Sequence, residues 1–270
     1  MPAPKLSLEL EIRRYYDAGQ EAGRLEDPLS RWEKVRTLDL LRRFLPPAPA
    51  VVLDVGGAAG AYAFPLAEIG YIVDLIDPVP LHVEQARHRA AIEEHAPRNL
   101  QLGDARAIPY EDESTDAVLF FGPLYHLTSA GDRLQAIREA HRVLRAGGVL
   151  MAVAISRFAS AFDGVARGLI CDPRFVQIME QDLKTGQHRN DTGNLGYFTT
   201  AFFHHPEEFR KELMEGGFPN PDICAIEGPF WNVHESAPAE QLLATVRAVE
   251  NEPALIGASA HIMGIAAKPK

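Results

Sequence analysis

The chain has 270 residues, 46% hydrophobic and 24% charged, with a net charge of −10 and a pI near 5.5. That is ordinary for a soluble globular protein, enough for one large domain or a domain with a subdomain. The acidic balance, with no dense Lys/Arg run, disfavours nucleic acid as a partner. No stretch approaches the roughly 20 apolar residues of a membrane helix, no signal-peptide core opens the chain, and two isolated cysteines, Cys171 and Cys224, suit a reducing compartment, so a cytoplasmic protein off the membrane is expected.

Residues 5–27 are polar around the pair Tyr15-Tyr16, which reads as a surface helix anchored by its rings or, more sharply, as a lid over a cofactor. Residues 29–45 place Trp32, Val35, Leu38, Leu41 and Leu45 on one side, as an amphipathic helix does, and Pro46-Pro47 stops it. Val51 to Val55 reads as a buried parallel strand. It ends in Gly56-Gly57-Ala58-Ala59-Gly60, small residues that allow a sharp turn and close approach of a ligand. A helix over 61–69 follows, with Pro65 in its first turn and Gly70 ending it. The second strand, Tyr71 to Ile76, stops at Asp77, and Asp74 within it is expected to face solvent. Strand, glycine loop, helix and strand closed by an acid form a unit that binds a nucleoside through its ribose.

Pro80 onward reads as a second crossover helix whose His82, His88 and His95 are expected to be solvated. A short third strand, Asn99 to Leu102, ends at Gly103-Asp104-Ala105. Strand four, Ala117 to Phe121, runs into Gly122-Pro123-Leu124-Tyr125-His126-Leu127, and ligands of open α/β sheets bind at such strand ends. A helix over 131–145, capped by Gly147, leads to strand five, Val149 to Ile155. From Ser156 to Phe203 the alternation stops, and about 45 residues is too long for a plain connection. Two helices and a loop there read as an inserted cap, with Phe158, Phe162, Leu169, Ile170, Phe175 and Ile178 available to roof the cleft. Strand six falls near Asp222 to Glu227, a helix spans Ala239 to Glu250, and the closing S-A-H-I-M-G-I-A-A-K reads as an antiparallel edge strand.

Asp54, two residues before the glycine loop, chooses among nucleoside cofactors. An acid there would repel a pyrophosphate and suits a cationic ligand. With Asp54, Gly56, Gly57 and Gly60 in place, the pattern resembles motif I of the class I S-adenosylmethionine-dependent methyltransferases, and residues 50–155 follow that family's order of motifs. Ala58 stands where the family has its middle glycine, a mild departure if its φ is negative and a damaging one if positive. The resemblance implies a Rossmann-like, doubly wound, seven-stranded, mostly parallel α/β sheet with helices on both faces and a helical cap. The chain then divides into N-terminal helices (1–45), cofactor-binding core (46–155), cap (156–203) and the rest of the sheet (204–270). It also implies S-adenosyl-L-methionine as cofactor. The Gly56–Gly60 loop would pack on its methionine part, and Asp54 would order the loop or meet its ammonium. Asp77 would hold the ribose hydroxyls, Pro78 and Val79 the adenine face, and Asp104 and the Ala105 N–H the adenine edge, while Tyr16, Phe121 and Gly122 complete the set.

Methyl transfer needs alignment, exclusion of water and, for some acceptors, a base. The candidates are His126, His204 and Tyr16, with His205, Tyr125 and Tyr197 as further cleft residues; no cluster argues for a metal. The expected partner is a small-molecule methyl acceptor, with monomer and homodimer both open. A non-catalytic S-adenosylmethionine-binding module and a nicotinamide-dependent oxidoreductase are the competing readings, the second disfavoured by Asp54.

Overall fold

A computed structural model describes residues 10–17, 28–230 and 238–270, so much of the expected N-terminal lid over 5–27 lies outside the described residues. In chain order the helices are α1 (Leu10–Asp17), α2 (Pro28–Phe44), α3 (Ala63–Glu68), α4 (Pro80–Ala90), α5 (Pro123–His126), α6 (Ala130–Val143), α7 (Ala159–Ala166), α8 (Pro173–Thr185), α9 (Pro206–Glu215), α10 (Ala239–Val249) and α11 (Pro253–Ile256). The strands are β1 (Val51–Val55), β2 (Ile72–Asp77), β3 (Asn99–Leu102), β4 (Thr115–Phe120), β5 (Leu144–Ser156), β6 (Gln187–His188), β7 (Ala201–His204), β8 (Asp222–Ala225) and β9 (His261–Ala267).

Seven strands form the expected sheet: β3, β2, β1, β4 and β5 lie side by side and parallel, then β9 antiparallel to β5, and β8 on its far edge. The order reverses between β1 and β4, which leaves a crevice at their C-terminal ends. β7 pairs with the last two residues of β5, and β6 pairs with β7, adding two short strands that belong to the insertion rather than to the core.

The period-2 alternation of the strands sorts the core into two faces. Val118 and Phe120 of β4 and Leu150, Ala152 and Ala154 of β5 pack with Ile137 of α6 and Phe209 of α9. Ala117, Leu119, Met151 and Val153 pack with Leu40 and Leu41 of α2 and Leu66 of α3 on the opposite face. Helices therefore cover both faces, as expected for parallel strands.

Three local expectations change. The closing strand, β9, is antiparallel as expected but lies between β5 and β8 rather than at the sheet edge. Gly147 does not cap α6, which ends at Val143; it takes φ 79° in an irregular start to β5 and donates its N–H to Lys268 O. Asp74 does not face solvent: it is 1% exposed and takes two bonds from the Arg98 guanidinium. No helix among the described residues is long and apolar enough to cross a membrane.

Candidate functional site

The crevice holds a cavity of about 950 Å³, including the part open to solvent, roomy for a nucleoside cofactor and a small second ligand. Of the expected site residues, Tyr16, Gly56, Ala58, Asp77, Pro78, Val79, Asp104, Ala105, Phe121, Gly122 and His126 line it. Each comes from a strand end or the turn after it, except His126, which closes α5, and Tyr16, which belongs to α1.

Asp77 closes β2 and is 3% exposed. Its Oδ1 accepts the Val79 N–H at 2.8 Å, its Oδ2 the Ala58 N–H at 2.9 Å, and His82 Nδ1 lies 3.0 Å from Oδ1. This overturns the expectation for His82, which is 4% exposed and lines the cavity. The sequence could have shown it only through spacing, since a helix starting at Pro80 turns position 82 back toward the strand that precedes it. His88 and His95 are exposed as expected.

Ala58 takes φ +48°, the left-handed region, the costlier of the two alternatives open at that position. Its N–H bond to Asp77 shows what the bend accomplishes. Gly56 and Gly57 leave no room for a side chain: a Cβ would stand 2.9 Å from Pro123 at the first and 2.6 Å from the Asp54 carboxylate at the second. Gly60 lines neither cavity; it takes φ +84° where the loop enters α3, with the Phe64 ring where a Cβ would go.

Asp54 and Gly57 line a second, smaller cavity behind the glycine loop, together with Glu33, Thr37 and His261. Asp54 is 1% exposed, and neither carboxylate oxygen has a hydrogen-bond partner. Burial, and then the Asp77 charge, push it up to about 7. Next to it Glu33, Glu227 and His261 bring ligand-type atoms within 4.8 Å of one another, a grouping that the sequence did not reveal because the three residues come from α2, the end of β8 and the start of β9. In the structure His261 Nδ1 lies 2.6 Å from Glu227 Oε1, and Glu227 Oε2 accepts from Ser259 Oγ at 2.8 Å.

Asp104 is held by the Arg106 guanidinium through Nε at 3.0 Å and Nη2 at 2.6 Å, and by the Arg106 N–H at 2.9 Å. Burial opposes ionisation there, but these bonds win and keep the carboxyl below its usual range. Arg106 also reaches Asp132 at 3.0 Å, and both line the cavity. Sequence reading missed this pair.

At the other end of the cavity His126 closes α5, and its Nε2 is hydrogen-bonded to the Tyr16 hydroxyl at 2.5 Å. Burial pushes its pKa down to about 4, so the imidazole is neutral across the physiological range. Tyr125 donates to Phe121 O at 2.9 Å and stacks edge-on with His126 at 4.7 Å.

His204 stands apart from both cavities. It is fully buried, lines neither cavity, and lies 3.1 Å from Glu212, which also takes Arg133. Burial lowers the His204 pKa; Glu212, though buried, is pulled down to about 2 by His204 and Arg133. His205 caps α9, and Tyr197 donates to Asp172 at 2.7 Å inside the insertion.

The cap does not roof the cavity as expected. Phe175 and Ile178 pack on Tyr197, Phe162 and Ile170 are 42% and 43% exposed, and none of the six apolar positions lines the cleft. The insertion reaches the site through Phe198, whose ring centroid lies 6.1 Å from that of His126 and 5.6 Å from that of Tyr15.

The family model described as "Methyltransferase domain" matches residues 53–152. A demethylmenaquinone methyltransferase of Deinococcus radiodurans is 33% identical over 181 residues, covering 63% of this chain and 68% of that protein. An uncharacterised methyltransferase of Mycobacterium bovis is 39% identical over 107 residues, 39% of this chain and 40% of that one. The chain thus spans under half the length of the mycobacterial relative. Among solved structures, a SAM-dependent methyltransferase of Thermotoga maritima, titled a possible histamine N-methyltransferase, superposes with a TM-score of 0.59 over 95% of this chain and 98% of that one, at 19% identity. That likeness speaks to the fold.

Proposed function

The chain belongs to the class I S-adenosylmethionine-dependent methyltransferases, and from that premise we propose that it moves a methyl group to an oxygen, nitrogen or carbon of a small aromatic molecule. The observation that carries the reading is the joining, in one cavity, of the glycine loop, Asp77 and Asp104 at one end with the Tyr16–His126 pair at the other.

The cofactor's fit rests on the cradle. Gly56 is packed so closely on Pro123 that only backbone faces the cavity there. Asp77 would take the ribose hydroxyls, Pro78 and Val79 the adenine face, and Asp104 with the Ala105 N–H its edge. When bound, the cofactor supplies an activated methyl group on a sulfonium; the hard chemistry is its own. The protein's part is alignment and a dry wall. Tyr16 lines the cavity. His126, neutral because it is buried, accepts a hydrogen bond from Tyr16 at Nε2 when Nδ1 carries the ring proton. In that tautomer the Tyr16 oxygen is left as an acceptor for an O–H or N–H of the substrate. An imidazole with a pKa near 4 is a weak base, so orientation outweighs proton removal in its contribution.

The acceptor end is aromatic: Tyr16, Phe121, Tyr125 and His126 line it, with Phe198 behind. Arg106 bridges Asp104 and Asp132, so the acidic pair is largely but not wholly offset. A planar, uncharged ring suits these walls, in keeping with the quinone-type substrate named for the Deinococcus relative. Cys171 and Cys224, both free, accord with a cytoplasmic home.

The test is calorimetric titration with S-adenosylhomocysteine, followed by incubation with S-adenosylmethionine and a panel of hydroquinones, catechols and amines while homocysteine-nucleoside release is measured. Binding with turnover on ring hydroxyls or ring carbons is expected. No binding at millimolar ligand would sink the cofactor reading, and binding with no turnover on any acceptor would favour the non-catalytic module.

A further inference from the structure

One side chain touches both Asp77 and Tyr16 without a part in the proposed chemistry. His82 sits in the first turn of α4 with its Nδ1 3.0 Å from Asp77 Oδ1; against a carboxylate that nitrogen is the donor. The same ring stands edge-on to Tyr16, centroids 5.1 Å apart at 81°, and Tyr16 holds His126. A carboxylate offers about four acceptor sites. Three on Asp77 are taken, by the Val79 and Ala58 N–H groups and by His82. Two ribose hydroxyls need two sites and one is left. The Val79 and Ala58 donors belong to the backbone of the β2–α4 turn and the glycine loop and cannot withdraw without undoing them. The His82 bond is the one that can lengthen.

We propose that His82 is a positioning residue that couples cofactor binding at Asp77 to the placement of Tyr16. When Asp77 takes the ribose, the imidazole shifts its share of the carboxylate, and the ring against Tyr16 moves with it. Occupancy at one end of the cavity thereby sets α1 at the other. The inference rests on the cofactor reading above, and its test separates the two.

Hydrogen exchange of residues 10–17 is measured with and without saturating S-adenosylhomocysteine, beside calorimetry of the same ligand. Wild-type protein is expected to bind and to protect α1 by at least about fivefold. His82→Asn keeps a donor for Asp77 but no ring, and His82→Phe keeps the ring but no donor. Both are expected to bind the ligand while the gain in α1 protection falls below about twofold. Thermal melts confirm that each variant is folded, and either one alone decides the matter. Wild-type binding without protection of α1, or variants that gain as much protection as wild type, would overturn the role of His82. Absence of wild-type binding would overturn the cofactor reading and the coupling with it.

Discussion

Ala58 carries a β-carbon at φ +48°, where an L-residue is strained by roughly 1–2 kcal/mol. Glycine removes the strain but loses more entropy on folding, roughly 0.5–1 kcal/mol. Ala58→Gly is therefore expected to stabilise the fold by up to about 1.5 kcal/mol in chemical denaturation; a loss of stability would mean that the β-carbon packs usefully. Asp77→Ala removes the acceptor for Ala58 and Val79 as well as for the ribose, so S-adenosylhomocysteine should bind about 1–3 kcal/mol more weakly by calorimetry, and unchanged affinity would refute the assignment. Asp54 makes a sharper, pH-dependent case. Its folded pKa is raised to about 7 from 3.8, so the stability linked to its bound proton is full below about pH 4 and is lost as pH rises through 7. Asp54→Asn should match wild type near pH 4 and be more stable at pH 8, by up to a few kcal/mol, in ligand-free denaturation at both pH values. The glycine loop, Asp54 and Asp77 were legible because they sit within one local unit whose spacing repeats its geometry. His82 and Asp74 were not, because what buries each is a partner: Asp77 for the first, Arg98 from 24 residues along for the second. The sign of φ at Ala58 was equally hidden, since the bond that bends the loop comes from Asp77 on another strand.

Strands and helices of the sheet could be read from period and punctuation; the insertion could be found but not aimed. Its break in rhythm marks Ser156 to Phe203, and α7 and α8 fall where their apolar positions place them. Nothing in that pattern says which body the two helices pack against. The fastening is polar and nonlocal: Asp182 of α8 accepts from Ser160 of α7, lies 2.8 Å from His188 Nδ1, and His188 Nε2 reaches Tyr197 O at 2.8 Å while its ring stacks on Phe203 at 4.8 Å. These bonds hold α8 to α7 and to β6, and so to the segment that carries Phe198. Asp182→Ala leaves Ser160 and His188 buried without that acceptor, at roughly 2–4 kcal/mol for the two groups. Amide exchange within residues 173–204 should speed up while β1 and β4 keep their protection; uniform loss across the sheet, or no change, would show that the insertion is not a separate unit. At the site, α5 is an element that sequence reading treated as the tail of β4. Its four residues turn His126 under Tyr16, and His126→Ala is expected to lower turnover by roughly 10–10² with little pH dependence between about 5 and 8, less than a strong general base would show. A loss that grows steeply toward neutral pH would restore the base assignment.

α2 meets the elements that follow the insertion on the sheet face that it covers. Arg36, fully buried, donates to Ile226 O at the end of β8 at 2.8 Å, to Glu250 at 2.7 Å and to Asp39. Arg43 shares Glu250 at 2.9 Å, and Arg247 of α10 reaches Asp39. The helix before the cofactor-binding half is thus tied to the strand and helix that complete the sheet. Charge counting could not show this, since an i,i+3 Arg–Asp pair on a helix is usually solvated and the third partner lies 214 residues away. A buried network of this kind adds little over a well-packed apolar core, but removing one member strands the rest. Arg36→Ala should cost about 3–5 kcal/mol, or a melting temperature about 10 °C lower for a chain of this size, whereas Arg36→Met, which refills the volume, still leaves Asp39 and Glu250 partly uncompensated and should lie between. Burial alone would raise Asp39 and Glu250, yet the arginines outweigh it and hold both below the usual carboxylate range. Acids with depressed folded pKa values contribute stability above their unfolded values that is lost as pH falls. Wild-type protein should therefore lose melting temperature steeply below about pH 4, and Arg36→Ala, with less depression left to lose, should fall more gently from a lower start. Differential scanning calorimetry from pH 3 to 8 compares the two curves. Parallel curves, or a cost under about 1 kcal/mol, would mean that apolar packing of α2 on β1 and β8 holds these elements together and that the ion network only occupies the space between them.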